Sequence, residues 1–241
     1  MKIVNCAFHT GHEFRIDNPD VVKRYIKDIE FPYESLAKEV LKERKGVIYS
    51  KCPAVTDFFK NTYVFHSPMD LNIDVHVSND QISVWCDNVD QEFFDIMVDI
   101  RFLEEQEKGI SPYPLIGVDF LNTFTCNESL KIQSFPAFLH YNDFTSKTAL
   151  VPGEYDISKW VRPVELVFEL KNKIEKIQIK KGDALYYFKF LDDDHVKLQK
   201  NSVPWDDVVA CNDIRNANKF RPLKDRYASY EKWKKENGKE N

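Results

Sequence analysis

Glycine is scarce in this chain and never clustered. Seven glycines, at positions 11, 46, 109, 117, 153, 182 and 238, are spread over 241 residues with no two closer than eight positions. A dinucleotide fingerprint, a phosphate loop and a nucleophile elbow each need glycines within about five residues of one another, because the backbone there must turn tightly or approach a phosphate. All three are excluded. The HExxH zinc-protease pattern is missing too, since His12-Glu13 is followed by Phe14, Arg15 and Ile16. Cysteines are few and far apart: Cys6, Cys52, Cys86, Cys126 and Cys211 are an odd set, the nearest two 34 residues apart. Paired-cysteine zinc sites need spacing such as C-x2-C, and secreted scaffolds pair their cysteines, so five free thiols in a reducing compartment are expected. No apolar run approaches the roughly 20 residues that span a bilayer, and the Met1-Lys2-Ile3-Val4-Asn5 start has no signal-like stretch, so neither standard secretion nor membrane crossing is expected.

What is present suits a soluble globular chain: 34 basic against 39 acidic residues, 43% hydrophobic and 14% aromatic. That length can bury a core without disulfides or a structural metal, and one domain spanning 1–241 is expected. Asn18-Pro19-Asp20 reads as a helix start, with Val21, Val22, Tyr25, Ile26 and Ile29 on one face. A break at Phe31-Pro32 precedes a second helix carrying Leu36, Val40 and Leu41, with Gly46 placed to end it. Residues 18–45 are thus a helical segment. From 47 the period becomes two: Leu71, Ile73, Val75 and Val77 alternate with polar residues, and so do Ile82 and Val84 across the turn-like Ser78-Asn79-Asp80. Further strands are predicted at 62–66, 115–125, 130–141, 163–170, 174–179, 183–191 and 195–199. The fold class is mainly β, an antiparallel sandwich or barrel over 47–200 with no helical crossover between its strands. From Arg215 the basic tail, 215–241, carries +5 while the remainder carries about −10. A helix near 223–236 with Leu223, Tyr227, Tyr230 and Trp233 on one stripe is expected to pack those rings on the body. The same pattern is compatible with partner docking or phosphate contacts but specifies neither, and nucleic acid is not the expected partner.

Several short segments together resemble an uncharacterised family of phage and bacterial proteins. They are Lys51-Cys52-Pro53-Ala54, Lys60-Asn61-Thr62-Tyr63-Val64, Ser67-Pro68-Met69-Asp70, Pro152-Gly153, Trp160-Val161-Arg162-Pro163 and Lys181-Gly182-Asp183-Ala184-Leu185, with Ala184 where the family more often has Pro. The likeness covers roughly 47–192. It implies a cupin-like or jelly-roll sandwich and a phage origin, with no established activity to carry over; the G-D-x-L turn supports fold and not chemistry.

Candidate sites follow from residue type and spacing. A cupin-type iron site needs His and an acid at alternate positions with a distant second His. His140 and Asp143, with His195 far along, have the residue types, but three-residue spacing on a strand sends the first pair to opposite faces. Asp74 and His76 do share a face, one expected to meet solvent. His9, His12 and Glu13 form a compact cluster; Cys52 could act as a nucleophile if His66 approached it; Asp192-Asp193-Asp194 reads as a solvated turn or a cation loop. Greater weight falls on the residues of the resembling segments. Lys60, Asn61 and Asp70 flank strands where a ligand pocket or a buried hydrogen-bond network needs them, and Arg162 beside Trp160 could hold a planar or anionic ligand. No metal or cofactor is expected. Three readings result: a cytoplasmic, phage-encoded cupin-like protein binding a small molecule in its sandwich; a virion or assembly component, with homo-oligomer or virion partners; and a cupin-type enzyme such as an iron-dependent oxygenase.

Overall fold

The computed structural model describes residues 1–8, 19–26, 30–43, 52–78, 81–101, 115–172, 174–217 and 221–238. Within them lie 14 strands and seven helices. The first sheet contains β1 (Lys2–Phe8), β6 (Val98–Arg101), β7 (Leu115–Thr125), β9 (Thr148–Leu150), β11 (Pro163–Leu170) and β14 (Val196–Lys200), in the order β14-β1-β7-β11-β9 with β6 also against β7. The second runs β10-β8-β13-β3-β2, from β10 (Gly153–Asp156), β8 (Lys131–Pro136), β13 (Ala184–Leu191), β3 (Thr62–His66) and β2 (Tyr33–Ser35). A third, smaller sheet, β12-β4-β5, joins β12 (Ile174–Ile179) to the hairpin of β4 (Leu71–Ser78) and β5 (Gln81–Cys86).

The first two sheets face each other through aromatic rings. Phe120 and Phe124 of β7 meet Phe65 of β3 and Phe188 and Phe190 of β13, with ring centroids 5.0 to 6.1 Å apart. Each completely buried ring of this kind contributes about 1.5–3 kcal/mol by leaving water. β11 shows the expected alternation, while β7 is buried along almost its whole length because it is central, with β1 and β6 on one side and β11 on the other. β13 is also buried on both faces. Its outward residues Ala184 and Tyr187 lie under α2 (Leu36–Glu43) and α3 (Pro53–Phe59), in a cluster with Leu36, Val40, Phe59 and Val64. α3 begins with Pro53 in its first turn, where a missing N–H costs nothing.

The architecture is mainly β, as the alternation predicts, with four departures. Helices interrupt the run of strands expected to have none between them, one after β5 and one after β8. The sheets are not antiparallel throughout: β1 and β14 pair in parallel, Lys2 opposite Val196. β1 and β2 come from outside the predicted 47–200 sandwich, because the polar residues between their apolar ones hid them in a lead-in and a helical segment. The predicted strand 130–141 ends at Pro136, where the chain turns into α5 (Asp143–Lys147) through a capping box between Asn142 and Thr145. α1 (Pro19–Ile26) and α4 (Gln91–Met97) pack together, Tyr25 stacking on Phe93 at 4.2 Å. At the C-terminal end α6 (Trp205–Ala217) precedes α7 (Leu223–Glu236). α7 lays Tyr227, Tyr230 and Trp233 on a cluster around the buried Trp160, so its aromatic stripe is spent on the body of the protein. No helix among the described residues is long and apolar enough to cross a membrane.

Candidate functional site

β2 and β14 are the terminal strands of the two facing sheets, and a cleft of about 650 Å³ opens between them. Phe31, Tyr33 and Tyr63 give it aromatic walls; Lys38, Lys197 and His66 are its polar lining most relevant to binding. The β14 edge is closed to strand addition by side chains. Tyr63 Oη donates to the Val196 carbonyl at 3.0 Å and accepts the Leu198 N–H at 3.3 Å, and Asn61 Oδ1 accepts the Val196 N–H at 2.9 Å. An unpaired edge is thereby satisfied without another strand. Tyr33 connects the cleft to the interior, where its hydroxyl accepts from Asn122. Burial, together with the neighbouring Cys6, Tyr186 and Tyr155, pushes the Tyr33 phenol well up, so it acts only as a neutral donor and acceptor.

Behind His66 lies a buried polar network. Glu39, 6% exposed, projects from α2 and places one carboxylate oxygen 2.7 Å from His140 Nε2 and the other 3.4 Å from His66 Nε2. The second nitrogen of each ring is also committed: His66 Nδ1 lies 2.9 Å from the Gly182 carbonyl and His140 Nδ1 lies 2.5 Å from Tyr187 Oη. A carbonyl only accepts, so His66 Nδ1 bears a proton, and its Nε2 needs a second to face a carboxylate. Tyr187 also accepts the Leu139 N–H at 3.2 Å, so its hydroxyl ties His140 to the turn after β8. Burial alone would push the Glu39 carboxyl up, but hydrogen bonds and charge from His140 and His66 outweigh it and hold it at about 2. Burial lowers His66, and the Glu39 bond and charge, the Gly182 carbonyl and Glu34 reverse this and raise it above 6.5. The two imidazoles take separate oxygens, so the carboxylate is a bridge. Among the described residues no group of three or more His, Cys, Asp or Glu side chains is placed to hold a metal ion.

The residues singled out in the sequence occupy separate places. Lys60 and Asn61 secure the β13–β14 turn: Lys60 donates to the Asp193 carbonyl, and Asn61 Nδ2 donates to those of Asp192 and Asp194 at 2.9 and 2.6 Å. Asp192 and Asp194 make a side-chain-capped turn, with Asp192 paired to Lys2 at 2.6 Å. Asp70 accepts the Lys181 N–H at 2.7 Å beside the rim of the cleft. Trp160 is completely buried under α7, and Arg162 pairs with Glu165 at 3.0 Å. The five are therefore not gathered around one cavity. Asp143 accepts from Gln178 N–H and pairs with Lys147, apart from the contacts of His140, while His195 lines the cleft. His66 uses both nitrogens on Gly182 and Glu39, leaving none for Cys52, which is exposed. Asp74 overturns one expectation: it is buried, not solvent-facing, because β12 covers that strand edge and Lys176 pairs with it at 3.0 Å. His76 is exposed and stacks on Trp85. His9, His12 and Glu13 lie outside the described residues.

Glu39 and Tyr187 were not anticipated. Glu39 had a visible signal, a carboxylate between Leu36 and Val40 on the apolar stripe of a short helix, which burial makes costly without a partner. Tyr187 had none, being one of two consecutive tyrosines in a buried strand. Compared with known proteins, the chain matches no family model, no curated protein and no solved structure. The functional reading therefore rests on this geometry.

Proposed function

We propose that this protein is a binding protein whose cleft between β2 and β14 takes a small planar molecule bearing an acidic group. The observation that carries the reading is the cleft itself, about 650 Å³ in volume, which falls in the range of small-molecule sites. Phe31, Tyr33 and Tyr63 suit a flat apolar body. Lys181 is paired with Glu30, whereas Lys38 and Lys197 form no ion pair with a described residue and can meet an anion. The ligand would thus sit at the rim of the sandwich and not between its sheets. With this go a jelly-roll or cupin-like class, kinship with the phage and bacterial family, and a place in the host cytoplasm.

The enzyme reading ranks lower, because both ring nitrogens of His66 and of His140 already have partners, which leaves the exposed His195 as the cleft imidazole that could serve as a base. A virion or assembly role is the second reading. On its side stand Phe138 and Tyr141, 60% and 91% exposed in one turn after β8.

Native mass spectrometry of the purified chain, followed by ligand-observed NMR with a panel of aromatic carboxylates, tests the first reading. One panel member or co-purified acid should bind one per chain, and Lys38→Glu with Lys197→Glu should weaken it by about tenfold, a loss of roughly 1.4 kcal/mol. Absence of binding, or binding indifferent to both reversals, would sink it. A discrete oligomer broken by Phe138→Ser with Tyr141→Ser would favour the assembly role.

A further inference from the structure

We propose that the Glu39 bridge is a proton-operated clasp, holding α2 and the α2 side of the cleft against the β3–β13 pair while His66 bears two ring protons, and letting go when one is lost. The clasp is a property of the free protein; only its consequence for a ligand rests on the binding reading above.

Among the described residues the apolar anchors of α2 are Leu36 and Val40, with the partly buried Ala37 beside them, packed on Phe59, Val64, Ala137, Ala184 and Tyr187. Glu39 lies between these anchors with its side chain 8% exposed, and an ionised carboxylate there is tolerable only while charge and hydrogen bonds compensate its lost hydration. His140 supplies one bond from the β8–α5 turn, itself fastened because Thr145 donates to the His140 carbonyl at 3.1 Å. His66 supplies the second contact, from β3, with Nε2 3.4 Å from the other carboxylate oxygen. If Nε2 loses its proton, the charge attraction across that 3.4 Å contact is lost, and Glu39 Oε2, buried with no hydrogen-bond partner among the described residues, loses the charge that offsets its burial.

The groups facing His66 set when this happens. Glu39 on α2 and Glu34 on β2 favour the proton, as does the Gly182 carbonyl in the turn before β13, whereas burial opposes it. Lys38 and Lys181 also line the cleft. His66 is raised overall, so the contribution of the pair is fully present below the ordinary histidine value of 6.5 and is lost as pH rises through the higher folded value. Glu34, Ser35 and Lys38 line the cleft from β2 and α2, so releasing α2 alters the surface a ligand meets.

The test uses ligand-free, full-length protein. Amide hydrogen exchange is followed at pH 6.0 and 8.5, with labelling times scaled for intrinsic exchange and 184–191 of β13 as internal reference. In the wild type, protection of 36–43 should fall on the order of fivefold relative to that reference between the two pH values. His66→Gln should show no such step, whereas His140→Gln, which keeps the Glu39–His66 pair, should retain it. If His66→Gln fails to fold, Glu39→Gln serves the same purpose, because it removes the charge the proton answers. A step surviving both His66→Gln and Glu39→Gln, or no step in the wild type, would overturn the clasp. Ligand titration at both pH values separates the two ideas: an exchange step without binding retains the clasp and removes the binding reading, while binding without a step does the reverse.

Discussion

Asn61 Oδ1 accepts the Val196 N–H at 2.9 Å, so a carboxamide in the turn before β3 joins Tyr63 in satisfying the edge of β14 in the facing sheet. Its amide nitrogen holds the Asp192 and Asp194 carbonyls, and its backbone carbonyl accepts the Phe190 N–H at 3.0 Å. Its backbone sits in the left-handed region at φ 57, which asparagine tolerates better than most residues. Asn61→Ala removes the side-chain bonds and leaves a Cβ residue in that conformation. The expected cost is about 2–4 kcal/mol in urea unfolding, with Asn61→Gly less damaging than Asn61→Ala because it relieves the backbone term. A loss of under about 0.5 kcal/mol for Asn61→Ala would show that water replaces the carboxamide without penalty.

Asp119 gives a second expectation, with a pH sign. Burial and the charge of Glu165 push its carboxyl up to about 7, against the Leu121 N–H, Arg162 and Arg215, which favour ionisation. It accepts that N–H at 2.7 Å within an irregularity of β7, where Leu121 has φ 57 and the register against β11 slips. A carboxyl with a raised folded pKa favours the native state while protonated. That advantage is complete below 3.8 and disappears as pH climbs to about 7. Asp119→Asn should be close to neutral near pH 4 and more stable than wild type by about 1–3 kcal/mol at pH 8. Denaturant melts across that range check it, and a pH-independent difference would contradict it.

Trp160 fixes the α6–α7 end of the molecule. Its ring is fully buried, tilted against Tyr227 and edge-on to Tyr230, and its Nε1 has no hydrogen-bond partner among the described residues. Trp160→Phe therefore removes volume but no satisfied polar contact, and should cost less than Trp160→Ala, for which about 3–5 kcal/mol is expected. Equal losses for the two, read from thermal unfolding, would mean the indole nitrogen matters after all.

The strands were legible where one face is wet or where apolar residues run without interruption. β7, β11 and β12 fall on their predicted residues because alternation or continuous burial is written into Leu115–Thr125, Pro163–Leu170 and Ile174–Ile179. β1 was not legible: its apolar residues have meaning only once β14 and β7 flank them, a pairing separated by most of the chain. Asn61 and Asp70 of the resembling segments each fasten a turn, and spacing alone cannot say whether such a polar residue faces a ligand or a loop. The Glu39 network was hidden for the same reason as β1. Its members come from α2, β3, the turn after β8, and β13, and no local pattern joins them.

Thiol chemistry offers the last expectation. All five cysteines are free, and Cys6, Cys86, Cys126 and Cys211 are buried while Cys52, just before α3, is exposed. Burial pushes the Cys6 and Cys211 thiols far up, partly opposed by Tyr33 at Cys6 and by the Val161 backbone at Cys211, so their thiolates are scarce even when a reagent reaches them. Burial raises Cys86 and Cys126 as well, against local backbone hydrogen bonds. A thiol reagent at pH 8 should therefore modify one cysteine rapidly in the native protein, Cys52, with the other four following only on opening or unfolding. Cys52→Ser should abolish the rapid phase without changing the slow one. Cys52 precedes the first turn of α3 with no side-chain bond, so this substitution should leave unfolding within about 0.5 kcal/mol of wild type. Rapid modification of a second cysteine in the Cys52→Ser protein would show that one of the packed clusters opens far more readily than its burial implies.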